Sequence, residues 1–99
     1  MVRRRKHVPP AAWLHSGVWP DGPLASHAPP EAVTARAIAI NLALAIEGRS
    51  VRELAADADL AHTTVYDLLA GKTYGDVITI ARLESTLKRP LWPGPDFSC

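Results

Sequence analysis

Cysteine is all but missing from this chain of 99 residues: its one thiol is Cys99, the last residue. An internal disulfide is therefore excluded, and so is a metal site built from several thiolates. A lone thiol fits a reducing compartment, and the cytoplasm is the expected location. Long apolar runs are missing too. No stretch approaches the roughly eighteen uncharged apolar residues of a membrane-spanning helix, so no membrane association is expected. The opening Met1-Val2-Arg3-Arg4-Arg5-Lys6 is basic but leads to Pro9-Pro10 and not into an apolar segment, which argues against a secretory signal. The four histidines, His7, His15, His27 and His62, are irregularly spaced and form no HxxxH pair, so neither a metal nor any other cofactor is expected. No nucleophile stands beside a base either, Ser50 reading better as a helix cap, and the chain is not expected to be an enzyme.

Hydrophobic residues at 47% and charged residues at 21% suit one small globular domain. The net charge of +1 conceals an asymmetry. Residues 1–30 hold Arg3, Arg4, Arg5 and Lys6 against Asp21 alone, a net +3, whereas the remainder holds seven basic and nine acidic residues, a net −2. The chain reads as a basic arm on a mildly acidic body, and a polyanion would be drawn mainly to the arm.

Six of the nine prolines lie in residues 1–30, which precludes a long helix or a central strand there. The same stretch contains Trp13, Leu14, Val18, Trp19 and Leu24, an apolar content unlike that of a disordered linker. Two readings follow: a segment packed irregularly along the body, or an arm that orders on binding. Residues 31–92 have a helical character, and residues 93–99 form a C-terminal tail. Ala32 to Glu47, rich in Ala, Leu and Ile and followed by Gly48, predicts a helix. At about 100° per residue, Ile38, Leu42 and Ile46 form one apolar stripe, while Ile40 and Leu44 join Val33 and Ala37 in a second. Ser50-Val51-Arg52-Glu53 is a capping box opening a short helix to about Ala58. A break at Asp59-Leu60 precedes a second short helix from His62 to Leu69, ended by Gly71. Asp76 then reads as the N-cap of a helix from Val77 to Lys88, with Val77, Ile80, Leu83 and Leu87 inward and Pro90 beyond its end.

Two short helices joined by a tight turn constitute a helix-turn-helix. With Val51 as first position, Ala55 fills the small fifth position where the helices cross. The apolar positions four, eight, ten, fifteen and eighteen are Leu54, Ala58, Leu60, Val65 and Leu68. In these residues Ala32 to Trp92 resembles the phage repressor and Cro class of helix-turn-helix proteins, the XRE family, in a small phage or actinobacterial form. The expected fold is all-α: a compact bundle of about four helices around a central helix-turn-helix, preceded by the Pro- and Trp-containing irregular segment. Three residues depart from the family pattern. Asp59 stands at the turn position usually held by glycine, Ala61 where a hydroxyl cap is usual, and Val51 where a phosphate-clamping glutamine is frequent.

The resemblance implies a DNA-binding transcriptional repressor with helix 62–69 in the major groove of a short operator, acting as a homodimer on a palindrome with half-sites about 34 Å apart. His62, Thr63, Tyr66 and Asp67 are then the candidates for reading bases, Asp67 accepting from cytosine or else repelling the backbone. No outward Arg or Lys lies on this helix, so the commonest guanine contact is missing. Candidates for phosphate are Ser50, Arg52, Thr64, Lys72, Tyr74 and the arm residues Arg3, Arg4, Arg5 and Lys6. Candidates for a dimer or partner interface are Ile40, Leu44, Ile78, Leu91 and Trp92, although Leu91 and Trp92 also suit a fold back over the base of the bundle. The rival reading is a helix-turn-helix body used for protein interaction, as in an antitoxin or phage adaptor, with Trp13 and Trp19 as anchors for a protein partner.

Overall fold

The computed structural model describes residues 8–93, so the Arg3–Lys6 run and most of the tail lie outside the described residues. Four α-helices carry the fold: α1 (Pro30–Ile46), α2 (Val51–Asp57), α3 (His62–Ala70) and α4 (Val77–Leu87). The protein is an all-α helical bundle, and the only extended pairing among the described residues is a single antiparallel bridge between Leu14 and Leu24.

Helix α1 begins on its prolines. Pro29 is the N-cap and Pro30 the first helical residue, a position where the missing N–H costs nothing. Gly48, at φ 82°, turns the chain out of the helix end. Ile38, Leu42 and Ile46 face the core, joined there by Leu54, Ala55, Ala58, Val65, Leu68, Ile80, Leu83 and Leu91. The second stripe lies on the opposite side of α1: Val33, Ala37 and Ile40 are half-buried and Leu44 is exposed.

Residues 8–28 lie along this bundle as irregular structure. A one-turn 3-10 helix at Pro10–Trp13 leads into a closed loop, in which the His15 N–H donates to Pro23 and the Ala25 N–H to Trp13 (both 2.8 Å). It is fastened by hydrogen bonds to α1, to the end of α3 and to the loop that follows α3. The Ala11 N–H donates to the Gly71 carbonyl (2.9 Å), the Trp19 indole N–H donates to Leu69 (3.1 Å), and the Arg36 guanidinium donates to the carbonyls of Gly22 and Asp21 (3.1 Å each). The rings proposed as partner anchors are thus engaged within the chain. Trp19 covers Gly71, and Trp13 packs edge-on against His27 at 5.4 Å between centroids.

Two expectations are corrected. Leu91 is fully buried in the core, as its fold back over the base of the bundle requires, which removes it from the interface candidates. Its N–H donates to Glu84 Oε2 (2.6 Å) and its carbonyl accepts from Asn41 Nδ2 (2.9 Å), so α1 and α4 together pin the chain after Pro90. Val77, expected on the buried face of α4, is 70% exposed. The buried stripe of α4 runs through Thr79, Ile80 and Leu83, which rotates Val77 away from the core.

Gly71 and Gly48 both have positive φ, but only Gly71 is crowded. A Cβ at Gly71 would lie 2.6 Å from Trp19 Cε2, whereas one at Gly48 would meet nothing within 4 Å. Gly48→Ala should therefore cost only the left-handed backbone term, about 1 kcal/mol, and Gly71→Ala about 2–4 kcal/mol, because the indole must also move. Urea denaturation of the two variants measures the difference.

Candidate nucleic-acid interface

The helix-turn-helix is built around small and apolar residues at the α2–α3 crossing. Ala55 is 2% exposed, and Leu54 and Val65 are fully buried beside it. The turn depends on Asp59, which adopts the left-handed conformation at φ 58° in the place where glycine would be the easier choice. Arg82 of α4 braces it: Nη1 donates to the Asp59 carbonyl (3.0 Å) and lies 3.6 Å from its carboxylate. A second exposed pair, Arg49 with Asp57 (3.1 Å), links the loop before α2 to the end of that helix.

Ser50 caps α2 as its position predicts, with Oγ accepting from the N–H groups of Arg52 (3.1 Å) and Glu53 (3.4 Å). Only half of the capping box forms, since the Glu53 carboxylate makes no return bond to Ser50. Ala61 opens α3 without a side-chain cap, which leaves early N–H groups of that helix unsatisfied by side chains.

Counting outward from buried Val65 and Leu68, α3 presents Thr63, Tyr66 and Ala70 to solvent. Tyr66 is 48% exposed and meets His62 edge-on, with centroids 6.1 Å apart and rings at 89°. His62, Thr64 and Asp67 are half-buried at the sides of this face. The four base-reading candidates are therefore on one helix and on or beside its exposed side. At its margins Arg52 and Lys72 are exposed, and neither is in an ion pair among the described residues.

Tyr74 is engaged within the chain. Its hydroxyl donates to the Val8 carbonyl (2.6 Å), and the buried Trp13 indole nitrogen is close enough to influence it. With its proton committed, the Tyr74 oxygen has no donor to offer a phosphate. Its pKa is raised, first by burial and then by the negative charge of Glu31, with the Trp13 side chain opposing. The same bond fixes Val8, two residues beyond Lys6, to the loop that follows α3. Sequence reasoning missed this joint, as it missed the Arg82 brace, because both link residues far apart in the chain that carry no local signature.

The interface candidates do not form one surface. Leu44 and Ile78 are 57% and 64% exposed and Trp92 44%, but Trp92 borders a groove with Val77, while Ile40 and Leu44 occupy the far side of α1. Among the described residues no group of three or more His, Cys, Asp or Glu side chains could hold a metal, and no helix is long and apolar enough to cross a membrane.

No family model, no curated protein and no solved structure matches this chain.

Asp76 closes the loop that leads from α3 into α4. Its Oδ1 accepts from the Thr79 N–H (2.7 Å), and that bonding, with a smaller contribution from the charge of Arg82, holds its pKa below the ordinary 3.8. A carboxylate whose folded pKa is depressed adds stability above its unfolded value and loses it as pH falls through the folded one. The stability gap between the native chain and Asp76→Asn should thus be constant from neutral pH to about pH 5 and close as pH falls below about 4. Thermal unfolding of both proteins across that range measures it.

Proposed function

We propose that this protein is a small DNA-binding transcriptional regulator that sets α3 in the major groove of a short operator and represses by occupying it, acting in the cytoplasm. The observation that carries the reading is the helix-turn-helix crossing at Ala55, with an exposed polar and aromatic face on α3 and unpaired cations at its margins. Thr63 offers a hydroxyl and a methyl to base edges, and Tyr66 with His62 forms an aromatic corner suited to a thymine methyl or a sugar. Asp67, at the side of the face, selects for a cytosine amino group and disfavours other registers.

Because α3 bears no arginine or lysine, affinity in this reading comes from outside the helix. Arg52 at the start of α2 and Lys72 after α3 flank it, and the Ser50 hydroxyl retains a proton to donate. The Arg3–Lys6 run joins the body two residues before Val8, which Tyr74 ties to the same loop as Lys72. A basic arm rooted there can follow the backbone beside the half-site. A symmetric homodimer is the natural form of such a regulator, with Ile78 or the Leu44 face of α1 as exposed apolar contact.

Fluorescence anisotropy on random duplex DNA across a salt series tests this reading. Binding should weaken steeply with salt, and Arg52→Ala and Lys72→Ala should each reduce the magnitude of the log–log slope by about 0.9. Arg3–Lys6 changed to alanine should reduce it by about 0.9 for each phosphate the arm contacts, and Asp67→Asn should tighten non-specific binding. Absence of binding at low salt and micromolar protein would reject the reading in favour of a protein-interaction module.

A further inference from the structure

Between the first half of α1 and the loop entering α4 lies a groove of about 360 Å³, open on one side. Ala35 and Ile38 form its floor, 7% and 2% exposed. Around the floor stand two aromatic side chains, Tyr74 and Trp92, and two carboxylates, Glu31 and Asp76. None of the described residues lining it is basic. Its volume falls in the range of small-molecule sites, which pair an apolar lining with a few convergent polar groups.

We propose that this groove binds a small organic cation, an ammonium carried on an apolar body such as an arylalkylamine. The assignment is independent of the DNA reading. An apolar floor calls for a hydrophobic body, and Glu31, in no ion pair among the described residues, calls for positive charge. Trp and Tyr walls are attractive to a cation through the negative faces of their rings. An anion would meet two carboxylates there, and a neutral ligand would make no use of the Glu31 charge.

Glu31 carries the charge argument. It makes no ion pair among the described residues, and its field reaches the groove, since it is one of the causes that raise the Tyr74 pKa. Asp76 contributes less, because its carboxylate caps Thr79 and lies in the field of Arg82. The chain at Trp92 is fixed by its backbone N–H, which donates to Glu84 Oε2 at 3.2 Å, while 44% of the residue's surface stays open. The backbone on both sides of the groove is thus fixed, by α1 on one side and by the Asp76 cap and the Trp92 N–H on the other.

The test is an NMR titration of the full isotopically labelled chain with 2-phenylethylammonium, alongside its neutral counterpart 2-phenylethanol. Saturable amide shifts confined to residues 31–38, 74–77 and 92 are expected, with the alcohol binding at least about fivefold more weakly. Glu31→Gln and Trp92→Leu should each weaken the amine about fivefold, leaving the rest of the spectrum in its native positions. Equal binding of amine and alcohol, an unchanged affinity in Glu31→Gln, shifts scattered over the surface, or no saturable shift with millimolar amine would each overturn the proposal.

Discussion

The contact of Trp19 with Gly71 is the constraint on which the rest of the structure depends. Gly71 ends α3 in a left-handed conformation, and the missing side chain is what lets the indole lie against the backbone. The indole N–H then takes the Leu69 carbonyl, one of the orphan acceptors that every helix C-terminus leaves behind. Ala11 takes the Gly71 carbonyl in the same way. A stretch too rich in proline for regular structure thus caps a helix it follows no register with. It gains in return a fixed path along α1. The direction in which α3 leaves the bundle, and with it the loop 72–75, is set from outside the helix-turn-helix.

A second set of bonds works at the other end of the chain. Leu91 reaches the core only because both of its backbone polar groups are satisfied on the way, the N–H by Glu84 and the carbonyl by Asn41. A buried backbone group without a partner would cost about as much as burying the leucine returns. Asn41 and Glu84 therefore have structural reasons to interrupt the otherwise apolar α1 and the middle of α4. The bundle is small, and its two irregular ends are as much a part of its cohesion as its helices.

The elements legible in the sequence are those fixed by local chemistry. Ser50 and Asp76 as caps, Gly48 and Gly71 as terminators, the inward set Leu54, Ala55, Val65 and Leu68, and the positive φ at Asp59 follow from residue type and spacing over a few positions. What was not legible depends on partners fifty or more residues away: Trp19 on Leu69, Tyr74 on Val8, Asn41 on Leu91. Val77 illustrates the limit within a single helix. Its spacing from Ile80 suits a buried face, but the phase of that face is set by which neighbours α4 meets, and the core lies towards Thr79. For the candidate site, the face of α3 is legible from its register, whereas the bond of Tyr74 to Val8 is not, because nothing nearby in sequence marks Val8 as its acceptor.

Tyr74 concentrates these consequences. Its hydroxyl holds Val8, its ring borders the groove over Ala35 and Ile38, and two residues before it lies Lys72 at the margin of α3. Burial and the Glu31 charge both favour the protonated phenol, the form that can donate to Val8. A cation placed against Glu31 would screen that charge, yet the larger contribution, burial, would remain, so the tether would persist with the groove filled. Steric displacement of the ring is then the route by which a bound molecule would disturb the bond to Val8. Any coupling between the two proposed sites must accordingly depend on the size of the bound molecule more than on its charge.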